Sequence, residues 1–242
     1  MMVPLLGAEL RRIVGRRGSF FGSIGFALLI VVIAVLAANP NEDDTAIEIV
    51  SVAGRYAGLL GVVVMGALAG SYDTANGTMR YLVLTGVPRW KLAVVRLLGI
   101  MVAVLPMTVL ILVIGIVWGS SQGDLEGKAI AESAWAIVAT LWTWGLVAAS
   151  VGMLMRSNGP AIAVSIVLFF GGTLITGLVF EFISEELSNY LLPSVFEQVA
   201  SLESKNGDGD FAIALGAAFV GLLVWLGALT GLAIGRTNRD EY

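Results

Sequence analysis

Six stretches of this chain contain no Asp, Glu, Lys or Arg, and each is long enough to cross a lipid bilayer. They run from Ser19 to Ala38, Tyr56 to Tyr72, Leu97 to Trp118, Ser133 to Met155, Pro160 to Phe180 and Phe211 to Gly235, and make up more than half of the 242 residues. A helix rises about 1.5 Å per residue and a hydrocarbon core is about 30 Å thick, so uncharged apolar windows near twenty residues predict membrane spans. The expectation is an all-α integral membrane protein of six transmembrane helices, with residues 1–242 forming one transmembrane domain.

Composition agrees and excludes much chemistry. Hydrophobic residues make up 57% and charged residues only 13%, which is unusual for a soluble domain of this length. There is no Cys and no His. A disulfide framework and a thiolate metal site are therefore impossible, and the commonest catalytic base and metal ligand is missing. No catalytic, cofactor-binding or metal-binding residue is expected. The Arg-rich start before Ser19 invites a signal-peptide reading. However, the apolar run to Ala38 is longer than a signal core, and Ala37, Ala38, Asn39 and Pro40 make a poor cleavage site.

Basic residues set the expected orientation. With the N-terminus in the cytoplasm, the inner segments hold Arg11, Arg12, Arg16, Arg17, Arg80, Arg89, Lys91, Arg96, Arg156, Arg236 and Arg239, eleven of the fourteen Lys and Arg. Only Glu9, Asp73, Asp240 and Glu241 join them among the eighteen acids, leaving +7 inside and −11 outside. This bias predicts both termini in the cytoplasm of a prokaryotic cell membrane. The acidic exterior, with Glu42, Asp43, Asp44, Glu48 and the segment from Glu181 to Asp210, has two readings. It either draws cations and cationic amphiphiles to an outer mouth, or is the solvated acid-biased surface of a salt-adapted or high-GC organism.

Before the first span, Leu6, Leu10, Ile13 and Val14 recur at helical spacing while Glu9, Arg12 and Arg16 occupy another face. The pattern suits an amphipathic elbow helix over residues 1–18, apolar side chains in the headgroup boundary and Arg near anionic lipid. A plain basic flank that sets topology reads equally well.

The connection between the second and third spans, residues 73–96, is the most informative segment outside them. Asn76 and Gly77 suit a left-handed helix end, Thr78 suits a cap, and Met79 to Leu84 is long enough for a short helix. Gly86 and Pro88 then break it and restart the chain. A compact helical knuckle carrying Arg80, Arg89 and Lys91 follows, suited to docking on a partner.

At these residues the chain resembles the membrane permease subunits of type 2 ATP-binding-cassette (ABC) exporters. Those proteins carry an acidic residue four positions before a Gly-Thr pair, a short helix, a Gly/Pro-x-x-Arg turn and a basic residue opening the third span. The matching places here are Asp73, Gly77 with Thr78, Arg80, the turn from Gly86 to Arg89, and Arg96. Ala75 stands where a second acid is common and Arg96 where Lys is usual. The resemblance extends to the layout: elbow helix, six spans, a long inner second connection and a longer outer segment before the last span.

The resemblance implies an intramembrane dimer, built with a second copy or a related permease, whose knuckles act as coupling helices seated in two ABC ATPase subunits. On that reading Asp73, Gly77, Thr78, Arg80, Arg89 and Lys91 form the ATPase contact, and ATP and Mg belong to the partner. Membrane lipid is the other expected partner, and nucleic acid is not expected. The sequence itself contains no Gly-x-x-x-x-Gly-Lys-Ser/Thr phosphate loop, so this chain is not an ATPase. Its charge-free stretches hold no carboxylate or His of the kind ion-coupled carriers place at mid-membrane depth.

Small and kinked positions suggest packing. Gly66 and Gly70, and Gly227, Gly231 and Gly235, give smooth faces suited to packing within a protomer or, alternatively, between protomers. Pro106 should bend the third span, as a hinge or a static kink. A translocation path needs weakly polar groups, and Ser165, Thr173 and Thr176 are candidates, although such hydroxyls often bond back to their own helix. The segment 181–210, centred on Tyr190 to Pro193, suits short helices dipping into the outer leaflet as a lid, or an amphipathic surface hairpin. Three functions remain open: an exporter subunit for amphiphiles, lipids, peptides or antibiotics; a non-transporting module driven by an ATPase in signalling or remodelling; and an intramembrane enzyme, for which no catalytic pair is present.

Overall fold

The computed structural model describes residues 2–38, 46–84, 86–122, 126–202 and 213–239, with their side chains except those of Arg80 and Glu185. Glu42, Asp43, Asp44, Asp208 and Asp210, the first two residues of the sixth apolar stretch, and Asp240 and Glu241 lie outside the described residues. Among the described residues the chain is helical with no strand: α1 (Met2–Gly15), α2 (Arg17–Ala37), α3 (Ala46–Ala75), α4 (Met79–Leu84), α5 (Arg89–Ala103), α6 (Leu105–Gln122), α7 (Gly127–Met155), α8 (Asn158–Phe182), α9 (Glu185–Ser188), α10 (Leu192–Ser201) and α11 (Leu215–Arg239). Six units are long and apolar enough to cross a membrane: α2, α3, α5 with α6, α7, α8 and α11. This is a multi-pass helical architecture.

Small residues put α3 and α7 at the centre. A Cβ on Gly66 would lie 2.7 Å from the Gly145 carbonyl oxygen, and one on Gly70 only 2.1 Å from that of Ala149. On the facing side, a Cβ on Gly152 would lie 2.4 Å from the Ala67 oxygen. Lipid removes most of the hydrophobic drive between helices, so close backbone approach and dispersion hold such a pair. Val62, Ala67, Ala148 and Ala149 fill the seam and are fully buried. Around this pair, α2, α8 and α11 expose broad apolar faces. The glycine stripe of α11 behaves differently from that of α3, because a Cβ on Gly227, Gly231 or Gly235 meets nothing within 4 Å among the described residues. The expected intraprotomer packing therefore holds for Gly66 and Gly70 and does not hold for α11.

The helices outrun the charge-free stretches. The second spanning helix starts at Ala46 instead of Tyr56, and the third at Arg89 instead of Leu97. Charge-free length marks lipid exposure, whereas a helix continues through charges that find partners inside the protein. Here Arg55 donates to Glu197 at 2.9 Å, and Arg96 donates to Asp73. The third span is interrupted at Val104, with Pro106 in the first turn of α6. The Trp142 indole N–H donates to the Met101 carbonyl at 3.0 Å, just before the break.

The N-terminal helix forms, but its charged face turns inward where the expectation set it beside lipid headgroups. Glu9 and Ile13 are its buried residues and Arg12 and Arg16 are partly buried, while Val14 is exposed. Its charged face meets the base of the bundle, with the Glu9 side chain over Gly99 of α5, because the Asp73 carboxylate and the Ala69 and Leu68 carbonyls accept from Arg12 and Arg16 there. Arg11 and Arg17 remain on the outside.

Candidate functional site

Asp73 sits at the end of α3 and is 4% exposed. Its carboxylate accepts hydrogen bonds from Arg12 of α1 and Arg96 of α5, and from the Thr78 hydroxyl at 3.1 Å. Arg12 also pairs with Glu9 and donates to the Ala69 carbonyl at 3.2 Å. Arg16 donates to the Leu68 carbonyl at 2.9 Å and lies 3.7 Å from the centre of the Tyr72 ring. Arg96 reaches the Met79 sulfur at 3.2 Å, and Met79 is fully buried. One carboxylate thus joins α1, α3, α5 and the start of α4.

Three guanidinium groups and two carboxylates leave the cluster with one excess positive charge. Burial lowers the Arg12 pKa most, with Glu9 opposing it; burial, then Arg12, lowers Arg16 to about 10. Arg16 therefore remains charged at neutral pH. A base whose pKa falls on folding destabilises the fold below the folded value and is relieved only above it. The penalty from Arg16 is therefore constant below about pH 9 and lifts only near pH 10 and beyond. Unfolding midpoints at pH 6, 7 and 8 should accordingly show no slope attributable to Arg16.

The knuckle itself is built as its residues require. Gly77 and Gly86 adopt φ of 69° and 76°, the left-handed region that only glycine enters without strain. The Thr78 hydroxyl turns back to Asp73. Above this mooring, α4 presents Tyr81 and Leu84, 71% and 75% exposed, and Trp90, at the start of α5, is 44% exposed. Arg89 is half-buried and donates to the Asn238 carbonyl at 3.3 Å, tying the knuckle to the end of α11. Lys91 lies 5.5 Å from the Trp90 ring. The Arg80 side chain lies outside the described residues.

The predicted contact residues therefore divide. Gly77 and Thr78 shape the turn, Asp73 is an internal brace, and Arg89 and Lys91 flank an aromatic surface. Sequence reasoning concentrated on charge and passed over Tyr81, Leu84 and Trp90; the recurrence of Tyr81 and Leu84 three apart on a six-residue helix was the available signal. It also passed over the partnership of Arg12 with Asp73, which are 61 positions apart.

At the opposite end, α3, α7, α8 and α10 enclose a cavity of about 410 Å³. Thr173 and Thr176 both line it, and Ser165 does not. Ser165 is buried, with its hydroxyl donating to the Ala161 carbonyl at 2.8 Å within its own helix. Thr176 bonds back to the Gly172 carbonyl at 3.0 Å. The segment 181–210 contributes α9 and α10, and Pro193, Ser194, Phe196 and Glu197 of α10 close the cavity. The Trp135 indole pins α10 through the Val199 carbonyl at 2.8 Å.

Neither a protein-family model nor a curated protein sequence matches the chain. Among the described residues no group of His, Cys, Asp and Glu is arranged to hold a metal.

Proposed function

We propose that this chain is the membrane subunit of an ATP-driven exporter of the type 2 ABC kind, with ATP hydrolysis carried out by separate ATPase subunits. The observation that carries the reading is the Asp73 cluster. A short helix with an exposed aromatic surface is moored through one buried carboxylate to three helices of the bundle. A partner that grips Tyr81, Leu84 and Trp90, with Arg89 and Lys91 at the rim, would move α1, α3 and α5 together. A lone surface loop would dissipate such a push. The cytoplasmic placement of both termini, the prokaryotic cell membrane and the pairing with a second permease belong to the same proposal.

The test is purification of the tagged chain from its own host in a mild detergent. An ATP-hydrolysing subunit should co-purify, and Tyr81→Glu or Arg89→Glu should reduce its recovery about tenfold or more, as loss of a docking contact of about 1.4 kcal/mol or more implies. Membrane insertion should be unchanged. An unaltered complex in both variants would remove the knuckle from the docking role.

Orientation has its own check, since the chain has no native Cys. Single cysteines at the exposed positions Asn76 and Ser157 should resist an impermeant thiol reagent on intact cells, while those at Ser121 and Lys128 should react. The reverse labelling pattern would invert the topology.

A further inference from the structure

We propose that the cavity between α3, α7, α8 and α10 binds a single-chain amphiphile whose head carries hydrogen-bond acceptors, a carboxylate being the simplest. Two buried donors in its wall lack acceptors among the described residues. Trp144 is 2% exposed and its indole N–H has no partner, and Arg55, 8% exposed, has an unpartnered Nε–H. A buried donor left without an acceptor is destabilising, and native interiors seldom tolerate it. Three hydroxyls of the wall already donate to backbone: Thr140 to Ala136, Thr176 to Gly172 and Ser194 to Ser188. The occupant that satisfies the two unmet N–H groups therefore carries hydrogen-bond acceptors.

Charge points the same way. Glu197 already accepts from Arg55 Nη2 at 2.9 Å and its side chain is 43% exposed, so it is neutralised and half in solvent. A cationic head would compete with Arg55 for that carboxylate and leave both N–H groups unmet. The rest of the wall is apolar and aromatic, with the Trp144 ring 4.9 Å from Phe169 and 5.9 Å from Phe196 in edge-on packing. A volume of about 410 Å³ is at the lower end of small-molecule sites, suited to one chain. Exposed Tyr56 and Thr173 stand at the mouth, beside the open apolar face of α8 that carries Leu174 and Leu178. Such an opening admits an acyl chain from the lipid side.

Binding here requires no ATPase; that the occupant is also the cargo rests on the exporter reading. The experiment uses the full chain alone in nanodiscs with a diazirine-bearing dodecanoic acid, and the labelled peptides are mapped by mass spectrometry. Labelling should saturate on peptides containing Trp144, Phe169 or Phe196. It should be displaced by dodecanoate and not by dodecyltrimethylammonium. Trp144→Phe, which keeps the ring and removes the N–H, should weaken apparent affinity about tenfold or more, the effect of one hydrogen bond to a charged head. Thr173→Phe, at an exposed position, should block the mouth without disturbing the fold.

Labelling that rises linearly with probe and spreads over the outer faces of α2, α8 and α11 would overturn the site. Equal displacement by the ammonium would overturn the assigned head chemistry, and full labelling of Thr173→Phe would overturn the location. A failed binding experiment leaves co-purification of an ATPase untouched, and the converse holds.

Discussion

Asp73→Asn lowers the stability of the purified chain by about 3–5 kcal/mol, the usual effect of removing one member of a buried ion pair. The amide keeps the shape and loses the charge that balances Arg96, whose side chain is 3% exposed, and Arg12. A buried guanidinium without its counter-charge is far costlier than the surface pair of Lys128 and Glu132, whose removal should change stability by less than about 1 kcal/mol. The measurement is thermal unfolding in detergent followed by tryptophan fluorescence. Asp73→Asn combined with Arg96→Met should recover much of the loss, because the uncharged pair leaves no buried guanidinium at position 96 in need of a counter-charge. Glu9 remains to hold Arg12 in that double variant. If Asp73→Asn alone unfolds at the same temperature as the parent, the cluster does not bind the four elements together.

The second large effect is expected at the central seam. Gly70→Val should prevent α3 from seating on α7 and abolish recovery of folded protein. Even the first added carbon would stand 2.1 Å from the Ala149 carbonyl oxygen and 2.7 Å from the Met153 nitrogen. Both contacts are backbone, so no side chain can swing aside, and overpacking that costs about 1–3 kcal/mol elsewhere becomes larger here. Gly231→Ala is the matched control, since its Cβ meets nothing within 4 Å. It should leave the unfolding temperature unchanged, or raise it through the better helix propensity of Ala. Monodisperse, folded Gly70→Val on size-exclusion chromatography would contradict the close α3–α7 approach.

The two glycine stripes show why a motif is only half legible in sequence. Gly66 and Gly70 have the same four-residue spacing as Gly227, Gly231 and Gly235, yet only the first pair meets another backbone. Spacing specifies which residues share a helix face; it carries nothing about what stands opposite. The hydroxyl candidates divide for the same reason, with Thr173 and Thr176 at a cavity and Ser165 bonded back to its own helix. Asp73 was visible as an acid before a turn, but its burial was not. A carboxylate in a polar connecting segment looks solvated until the arginines of α1 and α5 are brought to it.

Charge-free runs of about twenty residues determine six spanning helices by themselves, because hydrocarbon penalises any unpaired charge whatever the fold around it. Glycines with positive φ and one proline likewise determine where the knuckle turns and where the third span breaks, since these are local steric demands. Tertiary structure alone decided that Arg12, Arg96 and Asp73 share one buried site, that Arg55 meets Glu197 across 142 positions, and that Trp144 faces a cavity. Those pairings follow from how helices stack, and stacking is settled by the summed packing of many small residues that no single segment reveals.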